Sequence, residues 1–137
     1  MNEYIFSRKG ENMPFKSIII TGTSCAGKST VVQKLCNEID IPFEQVHAIT
    51  IRDRRPDDSN YEYVNDQEFE NLRSSQKLLV SSTYRGKKYG IRKSAYDAVL
   101  RRKKIPLLII TPSSAAELLK EDQEKYMSIF IDSQDSI

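Results

Sequence analysis

The stretch Ser17-Ile18-Ile19-Ile20-Thr21-Gly22-Thr23-Ser24-Cys25-Ala26-Gly27-Lys28-Ser29-Thr30 decides the fold class. Ser17 to Thr21 is a short, β-branched apolar run that ends at a glycine, the pattern of a strand buried on both faces of a parallel sheet. Gly22 to Ser29 satisfies G-x-x-x-x-G-K-[ST] in full. Past it, Val31, Val32, Leu35, Cys36 and Ile39 recur at helical spacing and predict an amphipathic helix from about Lys28 to Glu38. Strand, glycine loop and helix in that order form a phosphate cradle, because the loop's inward N–H groups and the positive helix end both favour an anion. We expect Gly22, Thr23, Ser24, Cys25, Ala26, Gly27, Lys28, Ser29 and Thr30 to hold the phosphates of a nucleoside triphosphate, in a loop that kinases, GTPases and ATPases share. Lys28 reaches the β- and γ-phosphates, and the Ser29 hydroxyl serves as a ligand of Mg²⁺.

Working outward, Val46 to Ile51 reads as a second strand, and Arg52 to Asn60 as a polar loop containing Pro56. A short helix follows, capped by Asn65 with Glu68 as the reciprocal member of a capping box. Lys77 to Tyr84, Arg85-Gly86 and Lys87 to Ile91 predict a hairpin. Ala95, Tyr96, Val99 and Leu100 place a helix over Lys93 to about Lys103, and Pro106 to Ile110 supplies another buried strand. Thr111-Pro112 opens a further helix, with threonine at the cap and proline at its first position. Met127 to Ile131 is the last strand. Alternating strands and helices predict an α/β protein with a parallel sheet, a P-loop three-layer α/β/α arrangement. The boundaries we expect are a flexible leader over 1–13 and a single domain over 14–137. Its core comprises 14–50 and 91–137, with 51–90 inserted as a small acceptor-binding subdomain carrying the hairpin.

Composition narrows the class. The chain has 137 residues, 39% hydrophobic and 29% charged, which suits one globular domain and excludes disordered and membrane-spanning classes. No apolar run approaches the roughly 20 residues that cross a bilayer. Met1 to Pro14 lacks the apolar stretch of a secretory signal, and two cysteines, Cys25 and Cys36, make no disulfide framework or zinc site, so a cytoplasmic location is expected. Cys25 lies near a helix N-terminus, which lowers a thiol pKa and suggests oxidative sensitivity. The net charge of +2 argues against a nucleic-acid partner. Its basic residues are nonetheless clustered, at Arg52 to Arg55, Arg85 to Lys93 and Arg101 to Lys104; such clusters can hold small phosphates, and the last suits a solvated helix end. The lone His47 has no nucleophile or metal-ligand partner near it in sequence and reads as structural.

The middle of the chain resembles guanylate kinase. In that family a strand ends in T-T-R-x-P-R, a loop leads to D-Y-x-F-V, a helix follows, and a hairpin ends in Y-Y-G. Here the matching residues are Thr50-Ile51-Arg52-Asp53-Arg54-Arg55, Asn60-Tyr61-Glu62-Tyr63-Val64, Glu68-Phe69 and Lys88-Tyr89-Gly90, and the likeness runs from Ser17 to Ile131. The resemblance implies that Arg52, Arg55, Tyr61 and Tyr89 bind the phosphate of a nucleoside monophosphate. Physical chemistry asks for the same set, since a phosphate monoester is best held by guanidinium forks and hydroxyl donors arriving from different elements. Lys28, Arg52 and Arg55 are then the catalytic cations.

Departures from the family pattern matter as much. Ala48, Val80 and Ile91 stand where the resemblance implies polar readers of guanine, and none can make those hydrogen bonds. The strand Leu107 to Ile110 carries no aspartate and ends at Thr111. The loop before Tyr61 is shortened, and Ile137 comes before the family's arginine-bearing lid. The chain is therefore expected to move the γ-phosphoryl of ATP to a small phosphorylated acceptor, as a guanylate kinase-like nucleoside monophosphate kinase. Two alternatives stay open: a kinase similar to ribose 1,5-bisphosphate phosphokinase, whose acceptor is a sugar phosphate with no base, and a catalytically inactive module that binds nucleotide or phosphopeptide. The expected partner is in each kinase case a small-molecule phosphate acceptor, with no membrane.

Overall fold

The computed structural model describes residues 17–22, 32–34, 37–38, 40–56 and 61–131. Expectations for the leader 1–13, for Cys25 and Cys36, and for the loop from Thr23 to Thr30 fall outside the described residues. Along the predicted first helix, Val32–Lys34 and Asn37–Glu38 are helical.

Four strands form a parallel sheet: β1 (Ser17–Gly22), β2 (Phe43–Gln45), β7 (Ile105–Ile109) and β8 (Tyr126–Ile131), ordered β2-β7-β1-β8. The register pairs Ile18 with Leu107 and Met127, and Ile19 with Leu108 and Ser128. Successive side chains alternate between faces, so Ile19 and Leu108 enter one core while Ile18, Ile20 and Leu107 enter another. Val32 packs into the second core, and helices α2 (Lys93–Arg101) and α3 (Pro112–Glu121) into the first, through Tyr96, Val99, Ala115 and Leu118. The three layers follow from central strands that are apolar on both faces.

The other strands form a second sheet in the order β4-β3-β6-β5, comprising β3 (Ala48–Thr50), β4 (Tyr61–Tyr63), β5 (Leu78–Tyr84) and β6 (Lys87–Arg92). Here the structure corrects the sequence reading. Val46 to Ile51 is not one strand: Phe43–Gln45 pairs with β7 in the parallel sheet, the Val46 N–H bonds the Leu107 carbonyl at 2.9 Å, and only Ala48–Thr50 joins the second sheet. His47 lies exposed at the crossover rather than within a strand. Tyr61–Tyr63, to which the sequence assigned no element, is a strand parallel to β3.

Local signals behave as chemistry demands. Asn65 Oδ1 accepts the Glu68 N–H at 2.7 Å and caps α1 (Asp66–Ser74); the reciprocal bond from Glu68 is absent, so only half of the capping box forms. Thr111 Oγ1 accepts the Ser114 N–H at 3.2 Å, with Pro112 at the first position of α3. At the hairpin turn both Arg85 (φ 52) and Gly86 (φ 78) are left-handed, as a two-residue turn matching the strand twist requires. At the far end of β1 and α2, the Ser17 and Tyr96 hydroxyls share a buried hydrogen bond of 2.5 Å, and burial pushes the Tyr96 phenol above its ordinary pKa.

Candidate active site

The second sheet presents one face to a recess of about 560 Å³. Period-2 alternation selects that face: Val80, Ser82 and Tyr84 on β5, and Lys87, Tyr89 and Ile91 on β6. Cross-strand register puts Val80 opposite Ile91, Ser82 opposite Tyr89 and Tyr84 opposite Lys87. The floor therefore grades from apolar, through hydroxyl, to cationic toward the hairpin tip. The facing wall is Gly22 at the carboxyl end of β1 with Ile109, Ile110 and Thr111 at that of β7. Ligands of open α/β sheets gather at the carboxyl ends of parallel strands.

Arg52 and Arg55 enter the recess from the segment after β3. Arg52 is only 7% exposed, and its place is fixed by Thr50, whose fully buried hydroxyl donates to the Lys88 carbonyl at 2.9 Å and accepts the Arg52 N–H at 3.2 Å. The Arg52 guanidinium stands 4.8 Å from the Tyr61 ring centroid and donates to the Asp53 carbonyl at 3.0 Å. Tyr61 and Tyr89 lie with ring centroids 6.0 Å apart. All four residues singled out by sequence, Arg52, Arg55, Tyr61 and Tyr89, thus line one cavity. Arg54 turns elsewhere, 5.6 Å from the Tyr63 ring. Of the loop Gly22 to Thr30, only Gly22 is described, and it lies on the same cavity.

Sequence reasoning did not single out Ser82, Tyr84, Arg85, Lys87 or Thr111 as site residues, yet each lines the recess. Thr111 Oγ1 and Ser82 Oγ are 3.1 Å apart and tie the two walls together. The signal that finds the hairpin residues is the alternation itself, counted outward from Tyr89. Ala48, Val80 and Ile91 form an apolar end, and no carboxylate lines the cavity among the described residues.

The cation next to Tyr89 points the other way. Lys88 meets Asp66 at 2.7 Å and Glu70 at 2.6 Å, fastening α1 to β6, while Arg92 forks onto Glu62 at 2.9 and 2.8 Å and ties β6 to β4. Hydrogen bonds from Arg73 and then Lys88 pull the Glu70 carboxyl from 4.5 down to about 2. A carboxyl with a depressed folded pKa stabilises the fold above its unfolded pKa and loses that contribution as pH falls. The difference in urea midpoint between the native chain and Glu70→Gln is accordingly full at neutral pH, shrinks as pH drops below 4.5, and vanishes below about 2. A gap that widens on acidification contradicts this assignment.

The family model described as guanylate kinase matches residues 15–137. The chain belongs to the guanylate kinase family. A guanylate kinase from Prochlorococcus marinus subsp. pastoris is 30% identical over 118 residues, covering 85% of this chain and 64% of that protein. One from Rhodopirellula baltica is 29% identical over 123 residues, covering 86% of this chain and 59% of its own length. The crystal structure of guanylate kinase from Anaplasma phagocytophilum superposes with a TM-score of 0.71 at 21% identity, over 86% of this chain and 60% of that one, and shares the guanylate kinase fold. The chain thus spans less than two thirds of the length of these relatives. Among the described residues, no helix is long and apolar enough to cross a membrane.

Proposed function

We propose that this chain carries out ATP-dependent phosphoryl transfer to a nucleoside monophosphate. The observation that carries the reading is the convergence of Arg52, Arg55, Tyr61 and Tyr89 on one recess, with no carboxylate lining it among the described residues, beside Gly22 at the carboxyl end of β1. In this reading segments 14–50 and 91–137 hold the donor and 51–90 the acceptor. Loop residues Gly22 to Thr30 hold the donor phosphates, with Lys28 against the β- and γ-phosphates. Mg²⁺ would be held by the Ser29 hydroxyl together with oxygens of the donor phosphates. It would supply positive charge to the donor phosphates.

Arg52 and Arg55 orient the acceptor phosphate, and Tyr61 and Tyr89 donate hydroxyl hydrogen bonds to it. One oxygen of that phosphate forms the new P–O bond as the bond between the γ-phosphorus and the β-bridging oxygen breaks. ADP departs with the electron pair, and an ionised phosphate has no proton to lose, so no general base is required. Catalysis then rests on positioning and charge complementarity. A cytoplasmic location suits such a reaction. Incubation with Mg·ATP and a panel of nucleoside monophosphates is expected to release ADP only when an acceptor is present. Binding of ATP with no turnover on any acceptor defeats the kinase reading and favours a binding module.

One observation supports a second reading. Ala48, Val80 and Ile91 give the deep end of the recess no group to pair with a purine edge, and an unpaired polar edge in a closed site is costly. An acceptor without a base, such as ribose 1,5-bisphosphate, fits that wall, and including it in the panel separates the two.

A further inference from the structure

The hairpin tip carries more positive charge than one phosphate monoester uses. Four cations line the recess, Arg52, Arg55, Arg85 and Lys87, and no carboxylate faces them among the described residues. Two guanidinium groups already match the nearly two negative charges of a monoester. Among the described residues neither Arg85 nor Lys87 makes an ion pair, whereas the neighbouring Lys88 is held by Asp66 and Glu70. Register locates the extra pair. Thr50 stands opposite Tyr89 and the Ile51 N–H bonds the Lys88 carbonyl at 3.3 Å, so Arg52 continues toward Lys87, and Lys87 sits opposite Tyr84. All of the surplus charge is therefore at the end of the recess where Arg52 lies.

The backbone adds an independent observation. Arg85 occupies a left-handed position, φ 52, where glycine, asparagine or aspartate serves at lower cost. Its guanidinium stands 5.1 Å from the ring centroid of Tyr84, another residue of the recess. The contact with Tyr84 holds the Arg85 charge beside the other cations that line the recess.

Resting on the acceptor-site reading above, we propose that Arg85 and Lys87 form a second phosphate subsite, which holds the phosphoryl group that arrives beyond the acceptor's own phosphate. The recess then grips a diphosphate group more tightly than a monophosphate, and the hairpin tip complements the charge that accumulates as the new P–O bond forms.

The test uses the ¹⁵N-labelled full chain titrated with inorganic phosphate and with inorganic pyrophosphate, reading the amides of residues 84–89 so that binding at the donor loop is distinguished by position. Pyrophosphate is expected to shift these amides with higher affinity than phosphate. Arg85→Asn combined with Lys87→Gln lowers pyrophosphate affinity there by about tenfold and leaves phosphate affinity within about twofold, on the scale of losing charge-assisted contacts. Asparagine suits the left-handed turn, so the melting temperature holds or rises and misfolding does not confuse the result. Equal weakening of both probes, or hairpin amides that ignore pyrophosphate, overturns the proposal. Arg52→Ala separates the two readings: phosphate binding at these amides that survives Arg52→Ala overturns the acceptor site itself.

Discussion

For the proposed phosphoryl transfer, Arg52→Ala is expected to lower kcat/KM of acceptor-dependent ADP release by on the order of 100-fold, the loss that follows when about 3 kcal/mol of charge-assisted hydrogen bonding to an acceptor phosphate is removed. The magnitude rests on placement. Arg52 is 7% exposed, its amide is held by Thr50, and its guanidinium is set against Tyr61, so little order has to be gained when a ligand binds. Arg52→Lys retains the charge without the fork and falls between the native chain and alanine. Steady-state kinetics over an acceptor series is the measurement. A change smaller than threefold in the alanine variant removes Arg52 from the site.

Gly22→Ala destabilises the fold by at least about 3 kcal/mol, a drop of roughly 10 °C in melting temperature. Two effects add. Gly22 has φ 155, a conformation side chains rarely adopt, and a Cβ built on it collides with the backbone carbonyl of Ile131. Gly22 and Ile131 are register partners across β1 and β8, so neither strand can withdraw without breaking a parallel pairing that begins at Ser17 and Tyr126. The first glycine of the loop motif thus answers to strand packing as well as to any phosphate. Thermal melting of the variant decides: an unchanged midpoint means the strands separate freely at that end.

How far sequence carries the argument depends on whether a signal is local. The runs Ser17 to Thr21 and Pro106 to Ile110 announce parallel strands because burial on both faces leaves no polar alternation. The caps Asn65 and Thr111 are legible because each satisfies helix N–H groups within three residues. The split of Val46 to Ile51 between two sheets is not, since an unbroken apolar run says nothing about which partner each half bonds. Tyr61–Tyr63 is too short and too polar to announce a strand; its pairing with β3 and the Glu62–Arg92 fork supply what propensity lacks. Arg52, Arg55, Tyr61 and Tyr89 were singled out by the resemblance to guanylate kinase, and the fold brings them to one cavity. Within the basic run Arg85 to Lys93, by contrast, Lys87 and Lys88 look equivalent until the register of β5 on β6 sends one to the recess and the other to Asp66 and Glu70.

Val80 and Ile91 have two neighbourhoods at once: they border the recess, and they belong to the same apolar cluster as Ile19, Leu108 and Leu118. Selectivity and thermodynamic robustness are therefore written in shared atoms. A polar or larger residue introduced at either position to suit a different acceptor must also be tolerated by the interior of the whole molecule. Substitutions along the solvent-bathed turn, by contrast, leave the interior untouched.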